Sequence, residues 1–261
     1  MLNQIVETIR QQVAVRKISH PLVSLPVQPG TFAFRQALAA TDWALIAECK
    51  LASPSKGRLC QTHTVPELAR IFTAGGAAAL SVHTSTPFLG KLEDIAAVRA
   101  VSPLPILRKD FIIDEYQIYE ARAAGSDAIL LITAILNDAE LDRYLATAHS
   151  LGMDCLVEVH TLSELERVKQ TDAETVGINN RDLTTFTTDI ARTFDLLPHC
   201  DPRWRIISES GIHDTADARR LQKAGVKGAL VGESLVRAPD IAALTRALAQ
   251  PEMMNGRNQH A

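Results

Sequence analysis

The chain has 261 residues, 46% of them hydrophobic and 5% aromatic, and a formal net charge of −3. This is ample material for a buried core, and no basic surplus points to nucleic acid. No apolar run approaches the roughly 18 residues that span a bilayer, and the charged N-terminus has no signal-peptide core, so no membrane partner is expected.

Leu2, Ile5, Val6, Ile9 and Val13 recur at helical spacing, which predicts a helix over 2–17. Pro21, Pro26, Pro29 and Gly30 make 20–30 a loop, and 31–40 reads as a second short helix. Residues 1–43 are thus an appendage. From Ala44 onward, strand and helix patterns alternate. Strand-like apolar runs fall at 44–50, 78–84, 106–111, 128–133, 155–160, 175–179, 205–210 and 228–232. Helix-like segments fall at 65–74, 92–101, 115–124, 139–151, 163–169, 189–197, 216–223 and 241–248. Repeats of this length imply parallel strands joined by crossover helices. No low-complexity linker divides them. The expectation is one α/β domain over 1–261: a (β/α)8 barrel with an N-terminal helical extension over 1–43 and a flexible tail over 251–261.

Helix ends carry their own signals. Thr64 precedes Val65-Pro66-Glu67, an N-cap with proline in the first turn. Gly75-Gly76, Gly125, Gly152 and Gly225 follow helices, where a left-handed residue is wanted. Cys49, Cys60, Cys155 and Cys200 show no CxxC spacing. A chain of this size needs no disulfide framework, so a reducing cytoplasm is expected.

Active sites of such barrels lie at the C-terminal ends of the strands. There the sequence has Glu48 and Lys50, Arg108-Lys109-Asp110-Phe111, Glu158 and His160, Asn179-Asn180-Arg181-Asp182, Ser208-Glu209-Ser210-Gly211 and Gly232-Glu233-Ser234. Charge at the edge of a core is costly unless paired or used. Strand alternation puts Glu48 and Lys50 on one face and turns Cys49 toward the helices; it also pairs His160 with Glu158. Two lysines and two glutamates on one pocket suit acid–base work, with a lysine lowered by neighbouring cations and a glutamate raised by burial. The same residues also read as structural ion pairs, Lys50 with Glu48 and Lys109 with Glu158. Gly211 and Gly232, in the last two such loops, let backbone N–H groups approach a phosphate, and Ser53 can add a hydroxyl. Arg181 reads as an anion clamp in preference to a partner for Asp182. No His, Asp and Glu set has metal spacing, so no metal is expected.

Six segments together resemble the indole-3-glycerol phosphate synthase family, over about residues 3–248. They are Ile46-Ala47-Glu48-Cys49-Lys50 with Ser53-Pro54-Ser55-Lys56-Gly57; Leu107-Arg108-Lys109-Asp110-Phe111; Gln117-Ile118-Tyr119-Glu120-Ala121; Leu156-Val157-Glu158-Val159-His160; Gly177-Ile178-Asn179-Asn180-Arg181-Asp182-Leu183; and Ile207-Ser208-Glu209-Ser210-Gly211-Ile212. The resemblance implies a cofactor-free carboxy-lyase of tryptophan biosynthesis. Its substrate would be 1-(2-carboxyphenylamino)-1-deoxyribulose 5-phosphate, and its products indole-3-glycerol phosphate, carbon dioxide and water. It further implies Lys109 as general acid, Lys50 beside the substrate carboxylate and later a proton donor to the leaving hydroxyl, and Glu48 or Glu158 as base. Asn179 would hold the reacting hydroxyl and Arg181 orient the substrate. Ser53, Gly211, Gly232 and Ser234 would bind phosphate, with Glu209 and Ser210 lining the pocket and Phe88 and Phe111 at the aromatic ring. The loop over 51–62 would move over the substrate. A monomer is expected, with a phosphorylated small molecule as partner and weak association with other enzymes of the pathway.

The chain departs from the family's usual pattern in places. His83-Thr84-Ser85 stands where Leu-Thr and an acidic residue are usual, Gly90-Lys91 where Gly-Ser is common, and Leu51 at an often basic position. Other readings are a phosphoribosylanthranilate isomerase, which would need an inward cysteine that Cys49 does not supply, an aldolase with a Schiff base on Lys109, and a barrel that binds phosphate without catalysis.

Overall fold

A computed structural model describes residues 2–54, 56–182, 185 and 187–251. Among the described residues the strands are β1 (Ala44–Cys49), β2 (Ala52–Ser53), β3 (Gly57–Arg58), β4 (Ala79–His83), β5 (Ile106–Lys109), β6 (Ala128–Ile132), β7 (Asp154–Val159), β8 (Thr175–Asn179), β9 (Arg205–Glu209) and β10 (Gly228–Val231). All but β2 and β3 form one parallel sheet, and β10 pairs with β1 to close it. The helices are α1 (Leu2–Ser19), α2 (Ala33–Ala39), α3 (Val65–Ala74), α4 (Glu93–Arg99), α5 (Tyr116–Ala124), α6 (Asp138–Ser150), α7 (Leu162–Val168), α8 (Ala191–Leu196), α9 (Thr215–Lys223), α10 (Glu233–Val236) and α11 (Ile241–Ala249). The expected (β/α)8 barrel with helices ahead of it is what the chain forms. No helix among the described residues is long and apolar enough to cross a membrane.

Strand alternation divides the core in two. Leu45, Ala47 and Cys49 face outward into the layer between sheet and helices, while Ala44 and Ile46 face the barrel interior. Cys49 is therefore packing, as its parity predicts. Phe34 and Leu38 of α2 are fully buried in the inner cluster with the small strand-start residues Ala44, Ala79 and Ala128. The barrel is filled at that end, which leaves the opposite end for a cavity.

Helix ends follow the sequence signals. The Thr64 N–H donates to Glu67 at 2.7 Å, completing a capping box on α3. Gly76, Gly125, Gly152 and Gly225 take positive φ, but Gly75 stays right-handed at φ −79°, so the second glycine of that pair makes the turn.

Most of the predicted strands overrun by a residue or two. Lys50, Asp110 and Ser210 lie past the last laddered residue, and Ser210 turns left-handed at φ 66°. The loop after β1 contains the β2–β3 hairpin, and a further short helix, α10, follows β10. Of the segment 251–261, all but Pro251 lies outside the described residues, as do Ser55 and Leu183.

Arg108 is the largest fully buried side chain, and it faces away from the barrel. It donates to Asp110 at 2.9 Å, to Glu120 at 2.8 Å and to the Gln117 carbonyl at 3.0 Å. Arg16 of α1 closes on the other oxygen of Glu120 at 2.7 Å. A buried guanidinium is tolerable only with such saturation. It ties the end of β5, α5 and the N-terminal helix into one unit.

Candidate active site

A cavity of about 410 Å³ opens at the C-terminal ends of the barrel strands. Glu48, Lys50, Phe88, Lys109, Phe111, Glu158, Asn179, Arg181, Glu209, Ser210, Gly211, Gly232 and Ser234 all line it. Ser53 does not: it is 1% exposed, and its hydroxyl accepts the Lys56 N–H at 3.3 Å.

Strand ends deliver the charged floor. The Lys109 ammonium lies 3.0 Å from Glu158 and 3.5 Å from Glu209. Lys50 lies 3.4 Å from Glu48, whose second oxygen is 3.2 Å from His83 Nε2. Both ion pairs read from the sequence are present, but as neighbours in one chamber. Burial would lower Lys109, yet the attraction of Glu158, then Glu209 and Glu48, outweighs it and holds Lys109 above its ordinary value. The sequence-based expectation of a lysine lowered toward neutrality is therefore wrong for Lys109. Three strands bring carboxylates to it.

The acids divide. Burial pushes Glu209 up to about 8, with the like charges of Glu158 and Glu48 adding to it against Lys109. Burial also opposes ionisation of Glu48 and Glu158, but it loses to their cations. Lys50 and His83 hold Glu48 well below the usual carboxylate range; Lys109 and His160 lower Glu158. His83 is lowered by burial in spite of Glu48. Ionised Glu48 and Glu158 thus face the lysines, while Glu209 is the acid held toward its neutral form.

One wall is apolar and aromatic. The His83 ring stacks on Phe88 with centroids 4.2 Å apart and planes 7° from parallel, and Phe111 stands 6.4 Å from Phe88. Leu130, Ile132 and, from α1, Leu2 and Ile5 complete it. Helical spacing marked Leu2 and Ile5 as apolar, but spacing does not say which surface such residues meet.

The other wall is built of loops. Gly211 takes φ 75°, and a β-carbon there would stand 2.8 Å from Thr188 Cγ2. The Ser234 hydroxyl donates to the Ile212 carbonyl at 2.7 Å and lies 3.2 Å from His213 Nδ1. Arg181 faces Glu233 at 3.6 Å, and Lys56, from the loop after β1, reaches the other oxygen of Glu233 at 2.5 Å. Asp182 meets Arg192 at 3.3 Å. Lys56, Glu233 and His213 join the candidates here; Lys56 was legible only as part of the Ser-Pro-Ser-Lys-Gly turn.

A profile of the indole-3-glycerol phosphate synthase family matches residues 2–248. The sequence is 47% identical over 239 residues to the indole-3-glycerol phosphate synthase of Desulforamulus reducens, covering 90% of each chain. It is 43% identical over 256 residues to that of Rhizorhabdus wittichii, covering 95% of this chain and 97% of the relative. Among solved structures, 3-hexulose-6-phosphate synthase from Salmonella typhimurium superposes with a TM-score of 0.65 at 15% identity, covering 80% of this chain and 97% of its own. That last likeness concerns the barrel fold alone.

Proposed function

Since the chain belongs to the indole-3-glycerol phosphate synthase family, we propose that it closes the indole ring of 1-(2-carboxyphenylamino)-1-deoxyribulose 5-phosphate, releasing carbon dioxide and water. The observation that carries this reading is Lys109, an ammonium in the chamber held cationic by the Glu158 carboxylate at 3.0 Å. A cation so placed can protonate a carbonyl oxygen as the ring carbon attacks it.

The rest of the chamber suits the other steps. The stacked His83, Phe88 and Phe111 wall fits the carboxyphenyl ring, and Lys50, 5.4 Å above the Phe88 ring, lies where that ring's carboxylate would come. Attack on the carbonyl leaves positive charge on the anilino nitrogen, which accepts the electrons released as carbon dioxide departs, so the chemistry needs no organic cofactor. Lys50 then serves the leaving hydroxyl, held by Asn179. Glu48 or Glu158, both ionised, takes the last proton from carbon. Gly211, Gly232 and Ser234 offer backbone and hydroxyl donors to the phosphate, with Arg181 and Lys56 as nearby cations. Ser53 contributes by holding the loop after β1. That loop closes through Lys56 onto Glu233 and acts as a lid. The four free cysteines fit a reducing compartment, and we read the enzyme as a cytoplasmic monomer.

The test is direct. The purified protein is mixed with the carboxyphenylamino-deoxyribulose phosphate, and indole-type fluorescence is followed. Absence of product from correctly folded protein would sink the reading. Full turnover by Lys109→Ala would sink the general-acid assignment.

A further inference from the structure

The proposed reaction has a proton deficit. The substrate carboxylate is ionised at neutral pH, and its charge is lost when neutral carbon dioxide departs. The carbonyl oxygen leaves as water and gains two protons, one on ring closure and one on dehydration. A single proton returns, from the carbon beside the ring nitrogen. Each turnover must therefore import one proton from solvent; with Glu48 taking the carbon proton and returning it to Lys50, 3.4 Å away, Lys109 is the group left short. A chamber filled by substrate and covered by its loop excludes water from the mouth.

We propose that Glu164, His160 and Glu158 form a proton inlet that recharges Lys109 from outside the chamber; this rests on the reading of Lys109 as general acid. The groups stand in line. Glu164 Oε2 is 3.4 Å from His160 Nδ1, His160 Nε2 is 3.4 Å from Glu158 Oε1, and Glu158 Oε2 is 3.0 Å from Lys109 Nζ. His160 and Glu158 each use one atom to receive and another to release, as a relay requires. Neither His160 nor Glu164 lines the cavity. The side chain of Glu164 is 15% exposed, so the line reaches solvent through the connection between β7 and α7.

A histidine kept for packing has its ring nitrogens satisfied by backbone or hydroxyl groups. Both His160 nitrogens are buried without an aligned hydrogen bond, and each has a carboxylate oxygen at 3.4 Å. Catalytic contacts are commonly long before substrate binds and tighten afterwards. Glu164 is fixed beside the ring, since its Oε2 accepts the His160 backbone N–H at 2.7 Å. The Glu164 carboxylate, which His160 keeps below its ordinary value against burial, takes a proton from solvent and gives it to Nδ1, and the Nε2 proton passes to Glu158 Oε1. Rotation of that carboxyl presents the proton to the neutral Lys109 amine, and a ring flip restores the imidazole tautomer. Charge balances at every step.

The test uses His160→Ala and Glu164→Gln in rapid-mixing assays with the same substrate. Glutamine keeps an acceptor for the His160 N–H but cannot carry the proton; if His160→Ala does not fold, Glu164→Gln decides. Wild-type enzyme starts with its proton donors loaded, so its first turnover needs no import. Both variants should show a burst of one product per site at the wild-type rate, then steady turnover at least roughly tenfold slower. Added imidazole should restore His160→Ala. A residue that merely steadies Glu158 would slow the first turnover as much as the later ones, without rescue; that result, or an unchanged steady state, overturns the inlet. Full turnover by Lys109→Ala would instead overturn the general acid itself, so the two failures are distinct.

Discussion

Glu209 occupies the space that a β-carbon on Gly177 would fill. Gly177 lies on β8 and Glu209 ends the adjacent β9, and the glutamate leans across its neighbour toward Lys109, 3.5 Å away. Gly232, just past the end of β10, does the same for Glu48 of β1, on the next pair of strands round the barrel. A strand glycine is ordinarily a weakness, and it marks a close approach. Here it is an acid that approaches.

Gly177→Ala is accordingly expected to separate stability from activity. Alanine suits a strand better than glycine, and the atom it meets is the movable end of a side chain, so the melting temperature should stay within a few degrees. Glu209 must shift and Lys109 loses one of its flanking acids. A displacement of about 1 Å can cost on the order of a hundredfold in rate. Steady-state kinetics and a melting curve on the same sample check this; an unchanged kcat would show that the position of Glu209 is immaterial.

Glu209 also sets a pH dependence of stability. Burial raises it to about 8, well above an unfolded glutamate. Below about pH 4 it is protonated in both states and contributes nothing to the slope. As pH rises toward 8 the unfolded chain ionises while the folded one does not, so the contribution to stability is lost across that window. Glu209→Gln removes the group. Its melting temperature should match wild type near pH 4 and exceed it increasingly up to pH 8.5. A constant gap would place the acid's ionisation elsewhere.

The sequence made the frame and half of this chamber legible, for identifiable reasons. Period-two strands fix parity, so Glu48 inward and Cys49 outward follow from one alternation. The strand ends were less clear, because Lys50 and Ser210 continue a strand-like run and only the left-handed turn at Ser210 stops it. The four-residue α10 is too short to show a helical period. The direction of the Lys109 shift depends on Glu158, Glu209 and Glu48 converging from three strands, which spacing along the chain does not encode.

His83 offers a narrower test. It stacks on Phe88 and lies 3.2 Å from Glu48, adding to the forces that keep Glu48 ionised. His83→Leu retains an apolar wall of similar size and leaves Lys50 at Glu48. Turnover at neutral pH should hold within about threefold, as for a volume-conserving change. With one downward influence removed, Glu48 rises, and the acid limb of the pH–rate profile should move to higher pH. An unmoved limb would mean that ionisation of Glu48 does not limit the rate.

Arg108 lies on the other side of the same strand end, and its loss should appear first in stability. Arg108→Met leaves Asp110 and Glu120 buried with fewer partners. Removing one member of a buried charge network typically costs about 3–5 kcal/mol. For a chain of this size that is on the order of 10 °C in melting temperature. The side chain faces away from the chamber, so the chemistry at Lys109 should persist in the folded fraction. Glu120 also holds Arg16 at 2.7 Å, and through it the helix that places Leu2 and Ile5 on the cavity wall. KM should therefore rise by a larger factor than kcat falls. Adding Glu120→Gln should return part of the lost stability by removing the stranded charge, but not the KM, because the link to Arg16 is then weaker still. Equal losses in kcat and KM, with an unchanged melting temperature, would mean that Arg108 acts in the chamber and not behind it.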